Sequence, residues 1–218
     1  MVRNLHAGYR KKIRDSKQRK TKHVLLIAAE GNNKTETNYF RNFNKDSVSV
    51  RFVSGNETEP GQLVRRLAEE AEAQDLQPDD LAVCLVDADF DVSKNNQLKK
   101  ADQEASKARK KGFNLQLTVS SPCFEIWYLC YFSSSTRNYN SNKEILKELE
   151  RYIPDYSKSQ DVYKEYLQGN TALAVKNAKI LEKHCLESGL QPHTVSFTPS
   201  TEVYKVFEEF LFQYLRKI

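Results

Sequence analysis

No apolar run in the chain exceeds seven residues, far short of the roughly 20 needed to cross a bilayer. The basic, polar N-terminus also lacks the apolar segment of a secretory signal. Both absences lead us to expect a cytoplasmic protein with no membrane span. Cysteine is scarce: Cys84, Cys123, Cys130 and Cys185 show neither Cys-x-x-Cys spacing nor His partners at zinc-finger distances, so free thiols are expected rather than a zinc site. The four histidines are scattered and pair with no Ser or Cys nucleophile in a recognisable pattern, which argues against triad chemistry. A base-stacking motif, a groove-reading helix and an RNA-module signature are missing too, so sequence does not choose between DNA and RNA as a partner.

What is present is a folding chain. Hydrophobic residues make up 39% of the 218, with eleven Phe and eleven Tyr, enough for one substantial core with an appendage. Charge is uneven: residues 1–23 hold nine Lys or Arg against one Asp, a net +8, so the remainder carries −3 of the overall +5. Arg10, Lys11, Lys12, Arg14, Lys17, Arg19 and Lys20 are candidate phosphate contacts of a flexible, nucleic-acid-binding arm; a solvated leader has the same composition.

Past the arm, strand and helix signals alternate. Val24 to Ala29, Val48 to Val53, Leu81 to Val86 and Leu115 to Val119 read as strands. Helices are expected over 36–44, 61–73, 97–111 and 122–132. Such alternation implies an α/β fold with a mostly parallel, four-stranded sheet flanked by helices. After residue 140 the pattern becomes helical, with a capping box at Ser141 and Glu144, a helix from Thr171 to Ser188 and a last helix through Tyr214; Thr194 to Phe197 is a candidate edge strand. The organisation expected is therefore an arm (1–23), an α/β core (24–140) and a helical appendage packed on it (141–218).

Carboxylates follow two of the strands: Glu30 after the first, Asp87 and Asp89 after the third. Fully apolar runs are the pattern of buried parallel strands, and groups just past their ends gather at the carboxyl edge, where open α/β sheets bind ligands. Carboxylates there suit Mg²⁺ or Mn²⁺, which prefer a few carboxylates plus water and phosphate oxygens. Asp91 and Glu125 are further candidate ligands, although Glu125 also suits the first turn of a helix. Lys94 and Lys99, nearest the Asp loop on a lysine-rich helix, are candidate nucleic-acid contacts. A receiver-type phosphoacceptor at Asp87 is a weaker alternative.

Four segments carry a resemblance: IAAEGNNKTETNYF from Ile27, VDADF from Val86, SPCFEIW from Ser121 and PSTEVY from Pro199. In this order they resemble the blocks of the RloB-like family, found beside bacterial restriction and anti-phage defence genes. The resemblance implies a Toprim-like fold and a Mg²⁺- or Mn²⁺-dependent nuclease acting on DNA or RNA, transfer RNA included, with Glu30, Asp87 and Asp89 as catalytic and metal-binding residues. It also implies a companion ATPase of the ABC or SMC-like type, for which the appendage would supply a docking surface; a homodimer burying that surface fits the same composition. The first block departs from the family pattern, with one residue more between Glu30 and the Thr35-Glu36 pair and with Thr37 where Pro is usual. Glu36 is accordingly assigned to loop support. A non-catalytic module with a structural ion is the alternative.

Overall fold

The computed structural model describes residues 22–30, 34–55 and 57–215. The arm candidates Arg10, Lys11, Lys12, Arg14, Lys17, Arg19 and Lys20 lie outside the described residues. Five strands form one sheet of order β2-β1-β3-β4-β5: β1 (His23–Ala29), β2 (Val48–Phe52), β3 (Leu81–Asp87), β4 (Leu115–Ser121) and β5 (Ser200–Thr201). The first four are mutually parallel where they pair, and β5 joins β4 antiparallel. The sheet thus holds the four expected strands and one short edge strand.

Alternation along the strands divides the core in two. Val24, Leu26, Ala28, Ala82, Cys84 and Val86 face α2 (Pro60–Ala73) and α3 (Lys94–Lys110), which bring mainly small aliphatic side chains, including Ala101, Ala105 and Ala108 of α3. Leu25, Ile27, Ala29, Leu81, Val83 and Leu85 face an aromatic layer. That layer draws on α1 (Lys34–Phe40), the 3-10 turn Arg41–Phe43, α4 (Glu125–Cys130) and the helices beyond residue 140. Trp127 stacks on Phe207 at 5.4 Å between centroids, and the Tyr39 and Tyr131 hydroxyls share a hydrogen bond of 2.6 Å. Each such side chain contributes roughly 1.5–3 kcal/mol by leaving water. All four cysteines are buried free thiols.

The later segment comprises α5 (Asn142–Leu149), a π-helical turn at Tyr163–Leu167, α6 (Thr171–Glu187) and a final helix. That last helix is α7 (Val203–Val206), a π turn (Phe207–Leu211) and α8 (Phe212–Tyr214). At α5 the capping box forms: Ser141 Oγ accepts from the Glu144 amide at 3.3 Å, and Glu144 reaches back to the Asn140 amide at 3.2 Å. The candidate strand at 194–197 is instead a turn, because local bonds claim its polar groups. The Thr194 hydroxyl donates to the Gln191 carbonyl at 2.6 Å and the Phe197 amide donates to the Thr194 carbonyl at 3.1 Å, a use of Thr that competes with strand pairing. Pairing with β4 begins three residues later, at Ser200.

A charge network then ties this late segment to the sheet and to α3. Glu202 donates its amide to the Val119 carbonyl and accepts the Val119 amide on Oε2, at 3.1 and 3.0 Å. His193 bridges Glu202 (2.8 Å) and Asp102 of α3 (2.7 Å), while Lys205 closes on Glu202 Oε1 at 2.5 Å. Burial alone would lower the His193 pKa, but bonds and charges from Asp102 and Glu202 outweigh it and raise it to about 9. Burial likewise opposes ionisation of Glu202, yet His193 and Lys205 bring it down to about 2. The Val195 amide donates to Asn95 Oδ1 at 2.8 Å, so α3 is gripped at a second point, one residue past Lys94.

Candidate metal centre at the carboxyl edge

Strand register gathers the acidic residues. Ala29 lies beside Leu85 and Asp87 beside Ser120, so Glu30, Asp87 and the turn leading to Glu125 emerge together at the carboxyl edge. Beyond β3 the chain stays pinned: the amides of Ala88 and Asp89 donate to the carbonyls of Ser120 and Pro122, both at 2.9 Å. Asp89 takes a left-handed backbone, φ 56°, a conformation Asp tolerates better than most residues. Asp87 and Asp89 thereby flank the buried Ala88 at the end of β3.

Five carboxylates share this edge. Dense packing around the Asp87 carboxyl pushes its pKa well above the ordinary range, and Glu36, Glu125, Glu30 and Asp89 push it further. Burial also raises Glu36, to about 7, with Glu125 and Glu30 adding to the rise and Lys158 opposing it. Glu30 is raised by burial, against the pull of Lys94. This is a pocket of mutually repelling groups short of positive charge, and its donors are all oxygen, the set that hard divalent cations take. Thr35, next to Glu36, adds a buried hydroxyl. The residues present therefore fit Mg²⁺ or Mn²⁺.

Two lysines approach from opposite faces of the sheet. Lys94, at the start of α3, is buried to 8% exposure. Its ammonium lies 2.9 and 3.1 Å from the two Glu30 oxygens and 3.3 Å from Asp89, so it points at carboxylates rather than outward; Lys99 is exposed farther along α3. From the aromatic side comes the segment after α5. Tyr156 donates its hydroxyl to Glu125 at 3.0 Å, and Lys158 stands 3.6 Å from the same carboxylate. Burial lowers the Lys158 pKa, but Glu125, Asp87 and Glu36 outweigh it and raise it.

The sequence candidates are not all placed alike. Glu125 is buried and faces the cluster, as does Glu36, which sequence reading assigns to loop support. Asp91 is exposed and turned toward α3, accepting the Ser93 amide at 2.9 Å; the Ser93 hydroxyl and then its amide lower its pKa. Tyr156 and Lys158 carry no sequence signal. Lys94 makes a measurable expectation. Lys94→Met leaves Glu30 without its cation, so the metal-free protein should lose about 1–3 kcal/mol, and Mn²⁺ should restore most of it. Melting with and without Mn²⁺ checks this; a loss that metal leaves untouched would show Lys94 to be an ordinary structural pair.

Among the described residues, one group of three has ligand atoms within 4.8 Å of one another: His23, Asp79 and Asp80. It sits at the opposite, amino edge. Asp80 there accepts the Val24 and Gln77 amides at 2.7 and 2.8 Å, and His23 stacks on Tyr214, so these groups brace the strand start. Glu30, Asp87 and Asp89 are spread wider, with the Lys94 ammonium between Glu30 and Asp89.

Parallel strands with helices on both faces, and acidic residues at the carboxyl edge, define a Toprim-like α/β protein. The chain belongs to the RloB-like protein family, whose model matches residues 25–210. No curated protein and no solved structure gives a significant match.

Proposed function

We propose that this protein is a metal-dependent nuclease that hydrolyses phosphodiesters of DNA or RNA and serves as an effector in bacterial anti-phage defence. The observation that carries the reading is the gathering of Glu30, Glu36, Asp87, Asp89 and Glu125 at one edge, with Asp87 held far above the usual carboxylate range by burial and by its neighbours. Glu30, Asp87 and Asp89 would hold Mg²⁺ or Mn²⁺, with Glu125 as a further ligand. A divalent cation there supplies stabilisation of charge on the attacked phosphate and on the leaving oxygen. Glu36, at about 7, is the carboxyl able to exchange a proton near neutral pH and so the group suited to accept one from water. Lys94 orients Glu30 and Asp89 through its ion pairs, and Tyr156 orients Glu125 through its hydroxyl.

The defence role and a companion ABC or SMC-like ATPase rest on the family resemblance. Leu173, Ile180 and Leu186 are exposed apolar side chains on α6, which suits the docking role proposed for the segment after 140, and co-purification with that ATPase tests it. Among the described residues no helix is long and apolar enough to cross a membrane.

One feature also suits a non-catalytic binding module: the Lys94 bridge already neutralises part of the cluster. Incubating purified protein with labelled DNA and RNA, with Mn²⁺ or with chelator, separates the two readings. Fragments that appear only with metal are expected; intact substrates under every condition would leave the binding module.

A further inference from the structure

The carboxyl edge is acidic, yet the reading above requires it to receive a polyanion. Of the two lysines at the cluster, Lys94 is spent on Glu30 and Asp89 and is shielded from solvent. Lys158 differs in every respect. Its side chain is 67% exposed, and its ion pair among the described residues, to Glu125, is loose at 3.6 Å. The ammonium is at the surface although Glu125 is buried, so it can turn to an incoming anion while Tyr156 still donates to Glu125.

The backbone that presents Lys158 is held firmly. Residues 155–161 form a strap that leaves the aromatic layer and crosses to α1. Tyr156 packs against Tyr128 and donates to Glu125. Asn38 of α1 donates to the Lys158 carbonyl at 3.3 Å, and Asn42, in the turn that follows α1, donates to Asp161 at 2.8 Å. Within the strap the Gln160 amide closes a turn on the Ser157 carbonyl, and the exposed Ser157 and Ser159 hydroxyls meet at 3.0 Å. One cation and two hydroxyls therefore stand in solvent on a fixed loop, beside the carboxylates. Ammonium and hydroxyl donors of this kind are what contact nucleic-acid phosphates without reading bases.

We propose that the 155–161 strap is the phosphate-holding element of this site, with Lys158 taking a backbone phosphate of the nucleic acid and Ser157 and Ser159 donating beside it. The proposal rests on the nuclease reading for its substrate class but concerns binding, so it can be measured with cleavage switched off. A positive group on the aromatic side, opposite Lys94, would seat the polyanion across the end of β3 and over the carboxylates. Because the contact is electrostatic, it should serve single strands and duplexes of either sugar.

The experiment measures affinity of the full chain for labelled DNA and RNA oligonucleotides, single-stranded and duplex, in Ca²⁺ over a range of salt concentrations. Wild type is compared with Lys158→Ala, Lys158→Arg and Lys111→Ala; the last removes the same charge from the exposed C-terminal end of α3. Lys158→Ala should weaken binding about three- to tenfold and flatten the slope of log affinity against log salt by about 0.7–0.9, the loss of one phosphate contact. Lys158→Arg should retain most of both, and Lys111→Ala should leave the slope unchanged. Lys158→Ala should still be folded at the assay temperature, with a modest fall in melting because buried Glu125 loses its ion pair, a fall that Lys158→Arg should reverse. Equal affinities and slopes for Lys158→Ala and wild type would overturn the proposal, as would equal losses in Lys158→Ala and Lys111→Ala, or absence of measurable binding by wild type. Normal binding with the expected Lys158 effect, but no cleavage in Mn²⁺, would instead sink the nuclease reading and leave the phosphate contact standing.

Discussion

Asp87→Asn is expected to lower Mn²⁺-dependent cleavage by about a thousandfold or more, equivalent to about 4 kcal/mol of transition-state stabilisation, while the metal-free protein melts higher than wild type. The two effects share one cause. Asp87 stands among the other four carboxylates, and its pKa is raised by burial and then by Glu36, Glu125, Glu30 and Asp89. A folded-state pKa above the unfolded one means that the stability linked to this carboxyl is fully present in acid, below the ordinary Asp value, and is lost as pH rises through the raised value. Asn cannot ionise, so its advantage in melting should be a few degrees at neutral pH and should fade toward pH 4. Mn²⁺ should raise the melting temperature of wild type more than that of the variant. Cleavage at wild-type rates by Asp87→Asn would end the catalytic proposal. A variant that melts lower without metal would show the carboxylate to be supporting the fold.

The largest stability change is expected on the other side of β4. Glu202→Ala removes the acceptor of the Val119 amide and one of two carboxylate partners of both His193 and Lys205, leaving them Asp102 and Glu182. Breaking a buried charge network in this way costs about 3–5 kcal/mol, which for a chain of this size lowers the melting temperature by roughly 10 °C. Glu202→Gln, which can still accept the backbone amide, should lose less. Wild-type stability should show the same network as two pH windows. His193, raised to about 9, contributes fully below its unfolded value near 6.5 and loses that contribution as pH climbs from 6.5 to 9. Glu202, lowered to about 2, contributes fully above 4.5 and loses that as pH falls from 4.5 to 2. Urea melts across pH 2–10 measure both. A profile flat between 6.5 and 9, in wild type and in His193→Gln alike, would mean that His193 is not charged in the folded protein.

β1 and β3 were legible as unbroken apolar runs, β2 and β4 by apolar residues alternating with polar ones, and a residue just past an apolar run has only one edge of the sheet to occupy. Glu30, Asp87 and Asp89 could be placed together on that ground alone. Lys94 could not: in sequence it is one more lysine on a lysine-rich helix, and its burial depends on where α3 starts relative to Glu30, a tertiary fact. Glu36 was obscured by the departure of the sequence between it and Glu30 from the family pattern. Tyr156 and Lys158 were out of reach because the strap that carries them meets α1 across 120 residues of chain, without periodicity or turn signal to mark it. His193 was equally silent, since its partners Asp102 and Glu202 lie 91 and 9 residues away. The edge strand was misplaced by a few residues because Thr194 and Phe197 suit a strand by type, while the local bonds of the threonine draw the chain into a turn.

The late arrival of β5 has a consequence for how the protein comes into being. Its two residues pair with β4 across 81 positions of chain, and the grips on α3 at Asn95 and Asp102 come from residues 195 and 193. On a ribosome adding about 5–20 residues per second, Glu202 follows Asp89 by on the order of ten seconds. At the start of that interval Glu30, Glu36, Asp87 and Asp89 are already in the nascent chain; Glu125 and then the strap follow, and the brace on α3 and the closing strand of the sheet come last. The edge that carries the acidic residues is thus completed among the last events of synthesis, and a half-made chain holds the ligands without the scaffold that aligns them.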